Sequence, residues 1–197
     1  SLNVLTAGLM SNMTSPARPW FRMGTPDPEL MKFLPVKKWL NDLTILMHMV
    51  YNRSNVYRSL HYLYEEISAY GTSAVMTLDD YDTVVHDFNL QCGEYCLAQN
   101  WKGVVDTMYR EFEMSVSSVV REFGLDVCSG TIRRLYNDKK YDVQVKILHF
   151  IEPREDRNIS AGDSKNMAWR SVYIELGGDE DKVLRESGFK QFPVQAP

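Results

Sequence analysis

The chain has 197 residues, is 44% hydrophobic and 12% aromatic, and carries a formal net charge of −4 at pH 7. That length and apolar content support one sizeable folded domain, or one plus a small appendage, and exclude intrinsic disorder. The acidic balance excludes nucleic-acid binding by bulk charge, and three cysteines (Cys92, Cys96, Cys128) exclude a disulfide framework and point to a reducing compartment. No apolar run approaches the ~20 residues that span a bilayer, and no signal peptide is visible. The chain starts at Ser1 and stops at Pro197 without an obvious closing element, so we expect a piece of a longer protein.

Residues 2–13 place Leu2, Leu5, Leu9 and Met13 on one helical face. Pro16, Pro19, Pro26 and Pro28 then forbid a continuous helix. Trp20 and Phe21 sit in this loop, either pinned into a pocket or exposed as a binding edge. Asp27-Pro28-Glu29 is a helix start: a capping Asp, Pro at the first helical position, an acid in the first turn. Val36, Trp39, Leu40, Leu43, Leu46, Met47 and Val50 form the apolar stripe of a long helix. Ser54 is placed to cap the next one. There Val56, Leu60, Leu63, Ile67 and Tyr70 recur at helical spacing until Gly71 stops the helix. The pair reads as a helical hairpin, with Leu60 and Leu63 buried against a sheet.

Between Gly71 and Ser115 lie four short runs rich in Val, Thr, Tyr and Phe, separated by turn residues. They read as one antiparallel meander, the platform for the segments on either side. Ser115 caps a short helix with Val116, Val119, Val120 and Phe123 inward, and Gly124 ends it. Residues 131–141 read as a short basic helix. From Val143 the period switches to two, and residues 143–192 read as a small antiparallel β unit with a mobile charged loop at 154–166. Val143, Val145, Ile147 and Ile151 line one face and Leu148 and Phe150 the other. Across the loop, Val172, Ile174 and Leu176 oppose Trp169 and Tyr173. Apolar residues on both faces call for cover on both, which a neighbouring subunit would supply. The fold class is α+β: a helical hairpin on an antiparallel meander, followed by a small projecting antiparallel β unit.

Chemistry-bearing residues are sparse. Cys92 and Cys96 read either as half a zinc site, completed by Cys128 and His86 or His149, or as ordinary cysteines. His61 and Glu65 share a helix face. Asp79, Asp80, Asp82, His86 and Asp87 make an acidic cluster around a turn. It is either a solvated hairpin tip or the metal site of a phosphoester hydrolase, the alternative function. Phosphate-binding glycine motifs and a nucleophile elbow are absent. Arg133, Arg134, Lys139 and Lys140 form the only compact basic cluster, facing either phosphates or solvent. A sequence-specific DNA-binding module is a third reading. The residues call for no cofactor and favour a structural or interaction role over an enzyme.

The runs SPARPWF, GEYCLA and VLRESGF, in this order and with the text between them, resemble the head-to-tail connector, or portal, proteins of short-tailed bacteriophages. The resemblance covers nearly the whole chain. It implies a subunit of a twelvefold ring at one capsid vertex, through which double-stranded DNA passes non-specifically. Implied partners are other copies of itself, the terminase, the capsid and tail adaptor proteins, with no membrane. The implied location is the virion portal vertex, after assembly in bacterial cytoplasm. The likeness assigns residues 1–130 to a wing-like domain and 131–197 to a stem-helix remnant and a clip-like β unit. Arg18, Trp20 and Phe21 would anchor the wing loop. Arg133, Arg134, Lys139 and Lys140 would face DNA weakly. Ile147, Phe150, Trp169, Tyr173 and Ile174 would meet a subunit or adaptor. The family has no catalytic or metal residues to carry over.

Overall fold

The computed structural model describes residues 1–178 and 182–196. They form two compact units: residues 1–92 with the short strand at Val194–Gln195, and residues 93–193. The expected boundary at residue 130 falls inside the second unit, because strands before and after it share one sheet.

The first unit holds four helices and a three-stranded antiparallel sheet. The helices are α1 (Leu2–Met13), α2 (Pro28–Lys32), α3 (Leu34–Arg53) and α4 (Val56–Tyr70). The strands are β1 (Ala74–Asp80) and β2 (Val84–Leu90), with β8 (Val194–Gln195) on the other side of β1. Asp27 caps α2 as expected, its Oδ1 accepting from the Glu29 N–H at 2.9 Å. Gly71 ends α4 in the left-handed region, φ 79°.

Helix faces are rotated from the expected ones. In α4 the buried positions are Val56, Ser59 and Tyr64, while Leu60 and Leu63 are only half-buried. The reason is that α4 is held from two sides. Tyr64 Oη meets Thr14 Oγ1 at the end of α1 at 3.1 Å, and Asn89 of β2 donates to the Ser59 carbonyl at 3.0 Å. Small Ser59 lets the strand approach where a leucine would not. In α1 the buried residue is Thr6, and Leu5 and Met13 face outward. In α3 Leu40 and Thr44 are buried, while Trp39 and Leu46 are exposed.

Asn55 replaces Ser54 as the N-cap of α4, yet its side chain bonds elsewhere. Its Nδ2 donates to the Asp87 carbonyl at 2.7 Å, and its Oδ1 accepts from the Asp87 N–H at 2.9 Å. The amide thus satisfies one residue of edge strand β2 as a neighbouring strand would. Asn55→Ala is expected to cost roughly 1–3 kcal/mol, since both Asp87 backbone groups lose their partner. Urea denaturation with an unchanged midpoint would contradict this.

The second unit is built on a five-stranded antiparallel sheet in the order β3-β4-β5-β6-β7. These are β3 (Tyr95–Gln99), β4 (Val105–Ser115), β5 (Gln144–Pro153), β6 (Trp169–Leu176) and β7 (Lys182–Phe189). Two helices, α5 (Val116–Phe123) and α6 (Gly130–Asn137), lie between β4 and β5 in sequence. The four runs between Gly71 and Ser115 are therefore strands, but two belong to each sheet. Composition marks a strand; it does not say which strand it pairs with.

Ser115 and Ser129 cap the two helices through their hydroxyls. Val116 and Val119 of α5, Ile132 of α6 and Cys128 between them bury against Ile147 and Leu184 of the sheet. The cover for one sheet face thus comes from within the chain. The stretch at 154–166 is hydrogen-bonded onto itself: Asn158 N–H to Asn166 Oδ1 at 2.9 Å, Asn166 Nδ2 to Asp163 Oδ1 at 2.6 Å. It runs so close to β7 that a Cβ on Gly188 would stand 2.5 Å from the Ser164 carbonyl oxygen. Only glycine fits there.

Candidate functional site

The acidic cluster is taken apart by the pleat of the β1–β2 hairpin. Asp79 pairs with Val85 and Thr77 with Asp87, while Asp80 pairs with Val84 and Leu78 with His86. Opposed residues share a face and successive ones alternate. Asp79 and Asp87 therefore lie on one face, Asp80 and His86 on the other. Asp80 is occupied by the turn: its Oδ2 accepts from the Asp82 and Thr83 N–H groups and from Thr83 Oγ1. Those bonds, the Thr83 hydroxyl foremost, hold its carboxyl below the usual range. Asp87 Oδ1 accepts from Thr77 Oγ1 at 2.8 Å. Among the described residues no three His, Cys, Asp or Glu side chains converge as metal ligands. The cluster is a hairpin tip and gives the hydrolase reading no geometry.

The cysteines do not assemble either. Cys96 is exposed, and Cys128 is buried in the core of the second unit with its Sγ on the Gly124 carbonyl at 3.1 Å. Burial, then the charge of Glu175, pushes the Cys128 thiol up, away from the thiolate a metal needs.

Arg133, Arg134, Lys139 and Lys140 are all exposed, at α6 and just beyond it. Arg133 is committed locally: Nε donates to the Leu125 carbonyl at 3.1 Å and Nη2 to that of Asp126. Lys139 takes the left-handed conformation, φ 59°, that ends the helix. Its N–H reaches the Tyr136 carbonyl and the Lys140 N–H that of Leu135, the paired bonds of a Schellman ending. This ending turns two lysines out at the negative end of the helix dipole.

The five residues expected to form one interface are divided by the sheet. Ile147 and Tyr173 lie on the face under α5 and α6, with Ile147 fully buried. Trp169 shares that register and donates from Nε1 to the Asp106 carbonyl at 3.2 Å. Phe150 and Ile174 fall on the opposite face. There Tyr109 stacks on Phe150 with centroids 5.4 Å apart, and Tyr109 Oη donates to Glu152 Oε2 at 2.7 Å. Arg170 lies over Phe150, and Glu186 Oε1 is 3.2 Å from Arg170 Nε and 3.0 Å from Arg154 Nη2. Lys146 pairs with Glu111 at 2.7 Å. These cations all have carboxylate partners, so the face is a charge-balanced platform and not a phosphate-binding one. Sequence reasoning did not pick out Tyr109, Glu152, Arg170 or Glu186. Their only signal was the period-two alternation of charge and aromatic residues along β5 and β6.

The wing-loop residues also have partners within the chain. Arg18 Nη2 donates to the Ser11 carbonyl at 3.0 Å. Phe21 stacks on His48 of α3 at 4.2 Å, and Trp20 donates from Nε1 to Tyr57 Oη at 3.2 Å.

The chain thus combines an α+β scaffold, a paired ionic platform and an exposed basic helix end, an arrangement of surfaces. The family of the bacteriophage head to tail connecting protein has a model that matches residues 1–197, and the chain belongs to that family. Over 197 residues, the whole chain, it is 49% identical to a protein of Bordetella phage BPP-1 named probable portal protein, covering 36% of that protein. Over 194 residues, 98% of the chain, it is 44% identical to the portal protein of Salmonella phage epsilon15, covering 35% of it. The chain therefore spans about a third of the length of these curated relatives. Among the described residues no helix is long and apolar enough to cross a membrane.

Proposed function

We propose that the chain is part of a portal subunit, one of a ring that forms the conduit for DNA entering and leaving a phage head. The observation that carries this reading is the match of 98% to 100% of the chain to a portal protein and a probable portal protein of two phages, at 44% and 49% identity. In this reading the subunit is a structural component of the virion. It is built in the host cytoplasm and contacts the terminase, the capsid and the tail adaptors. In the same reading residues 1–130 serve as the wing and 131–197 as the stem remnant and clip, regions of use whose border lies within the second compact unit and not between two folded ones. Phe150 and Ile174, on the sheet face opposite α5 and α6, meet an adaptor or a neighbouring subunit. Electron microscopy of the intact subunit is expected to show closed rings with an axial channel. A protein that stays monomeric at micromolar concentration would sink the proposal.

DNA passing through a conduit is best held weakly, and the acidic chain suits that. We assign what contact there is to Arg134, Lys139 and Lys140, with Arg133 contributing less because its guanidinium is already bonded. Binding to short duplexes is expected to be sequence-independent and to weaken steeply with salt. Replacing each of the three by Ala should reduce the slope of log affinity against log salt by roughly 0.9. Tight binding to one sequence at high salt would rule the assignment out.

A further inference from the structure

The chain passes between the two units twice, after Cys92 and again before Val194. Residues 93–193 are thus an insertion into the first unit. β2 precedes the first crossing and β8 follows the second. Both strands pair with β1, Leu90 opposite Ala74 on one side and Val194 opposite Met76 on the other. Neighbouring strands lie about 4.8 Å apart, so the two tethers are rooted roughly 10 Å from each other, at opposite edges of one sheet.

Each crossing is one residue long. The Cys92 N–H is held in the first unit by Glu66 Oε1 at 3.3 Å, and Oε2 of the same carboxylate accepts from the Ser73 hydroxyl at 2.7 Å. The Glu94 carbonyl is held in the second unit by the Glu111 N–H of β4 at 3.0 Å. Between them stands Gly93, with φ 101°, a conformation that suits glycine. A Cβ added there would meet nothing within 4 Å, so the backbone angle and not crowding calls for glycine. At the second crossing Phe192 packs beside Trp169 of the second unit, ring centroids 6.4 Å apart, while Val194 is buried in the first. Between these stands Pro193, whose ring fixes φ and whose missing N–H cannot extend the ladder of β8.

We propose that Gly93 and Pro193 form a hinge, and that β8 is the strap that confines it to a single axis. A body tethered at one point turns about any axis; tethered at two points, it turns only about the line through them. With β8 paired to β1 that line runs from Gly93 to Pro193. With β8 released, Gly93 alone holds the second unit. A two-residue strand anchored by Val194 opens more readily than the core it rests on, which suits it to this control. Hinges of this kind concentrate their rotation in a few residues at the ends of elements. The hinge does not depend on the ring reading. It lets α6 and the ionic platform tilt against a partner while α1 to α4 stay in place, with neither unit unfolding.

The test follows the distance between nitroxides at position 81 of the first unit and position 101 of the second, where Tyr81 and Trp101 stand exposed at hairpin tips. Labelled copies of the intact subunit are diluted into unlabelled ones. Double electron–electron resonance is expected to give a broader distribution for this pair than for one inside the second unit, at 101 and 140. Inserting four glycines between Pro193 and Val194 slackens the strap and leaves β8 its own residues. At about 11 Å of added reach, the insertion should roughly double the width of the 81–101 distribution. Val194→Asp, which sets a charge opposite Met76, should widen it at least as much. The 101–140 distance should stay the same in both, which shows that the second unit is folded. If Val194→Asp fails to fold, the insertion decides alone. An unchanged 81–101 distribution in the insertion variant overturns the proposal, because something other than the two tethers then holds the units. A wild-type 81–101 distribution as sharp as the internal pair overturns it too.

Discussion

Glu175→Ala is expected to lower the stability of the second unit by about 3–5 kcal/mol. Glu175 stands on β6 with 2% of its surface exposed. Its carboxylate accepts from the Ser129 N–H at 3.1 Å and from the Ser129 hydroxyl at 2.5 Å. Ser129 in turn caps α6, accepting from the Ile132 N–H at 3.2 Å. One acid therefore ties the start of α6 to the sheet. Removing it leaves two buried donors without acceptors, each costing roughly 1–3 kcal/mol, and opens a cavity besides. The loss should appear as a shift of the urea midpoint. Glu175→Gln keeps the volume and one acceptor and should cost less. Equal stability of wild type and Glu175→Ala would show that the link between helix and sheet carries no weight.

Acid should unfold this unit from near pH 6.5 downward, and His149 is the reason. The ring is fully buried and stacks on Tyr173 with centroids 3.9 Å apart. Arg110 Nε donates to Nδ1 at 3.2 Å, so the proton sits on Nε2 and points at Ser171 Oγ, 3.1 Å away. Burial, then the charges of Arg110 and Arg185, lowers its pKa to about 3. An unfolded chain takes up a proton near the ordinary 6.5, whereas the native state does not until about 3. Between those values the unfolded state binds more protons, so stability rises with pH and is lost as pH falls. One proton is worth about 1.4 kcal/mol per pH unit, so the full window of about 3.5 units amounts to something on the order of 5 kcal/mol. Denaturant titrations at pH 7, 6 and 5 should show the loss, and His149→Phe should flatten it. A wild-type midpoint independent of pH over that range would refute the role given to His149.

The places where sequence and structure part follow a pattern. Local chemistry was legible. Asp27 and Ser115 start helices through their side chains and Gly71 stops one through its left-handed backbone, because a cap bonds to residues close to it in sequence. The strands from Ala74 to Ser115 and from Gln144 onward were legible too, from β-branched and aromatic content. The acidic cluster was visible as a cluster, but its division between two faces needed the register of β1 against β2. Leu60 and Leu63 looked like a core stripe, yet Ser59 and Tyr64 are the buried positions, because α4 is gripped from two directions at once. A single apolar stripe presumes one neighbour.

By itself, then, the sequence determined the α+β class, the caps and turns, and, through its likeness over the whole length, the family. These depend on neighbouring residues or on residue order. Tertiary structure alone decided that the meander is shared between two sheets and that residues 93–193 form one unit around α5 and α6. It also decided that His149 and Glu175 are buried with partners 22 to 46 residues away. Strand pairing and burial are set by which distant surfaces meet, and a hydrophobic period says that a face is covered without saying what covers it.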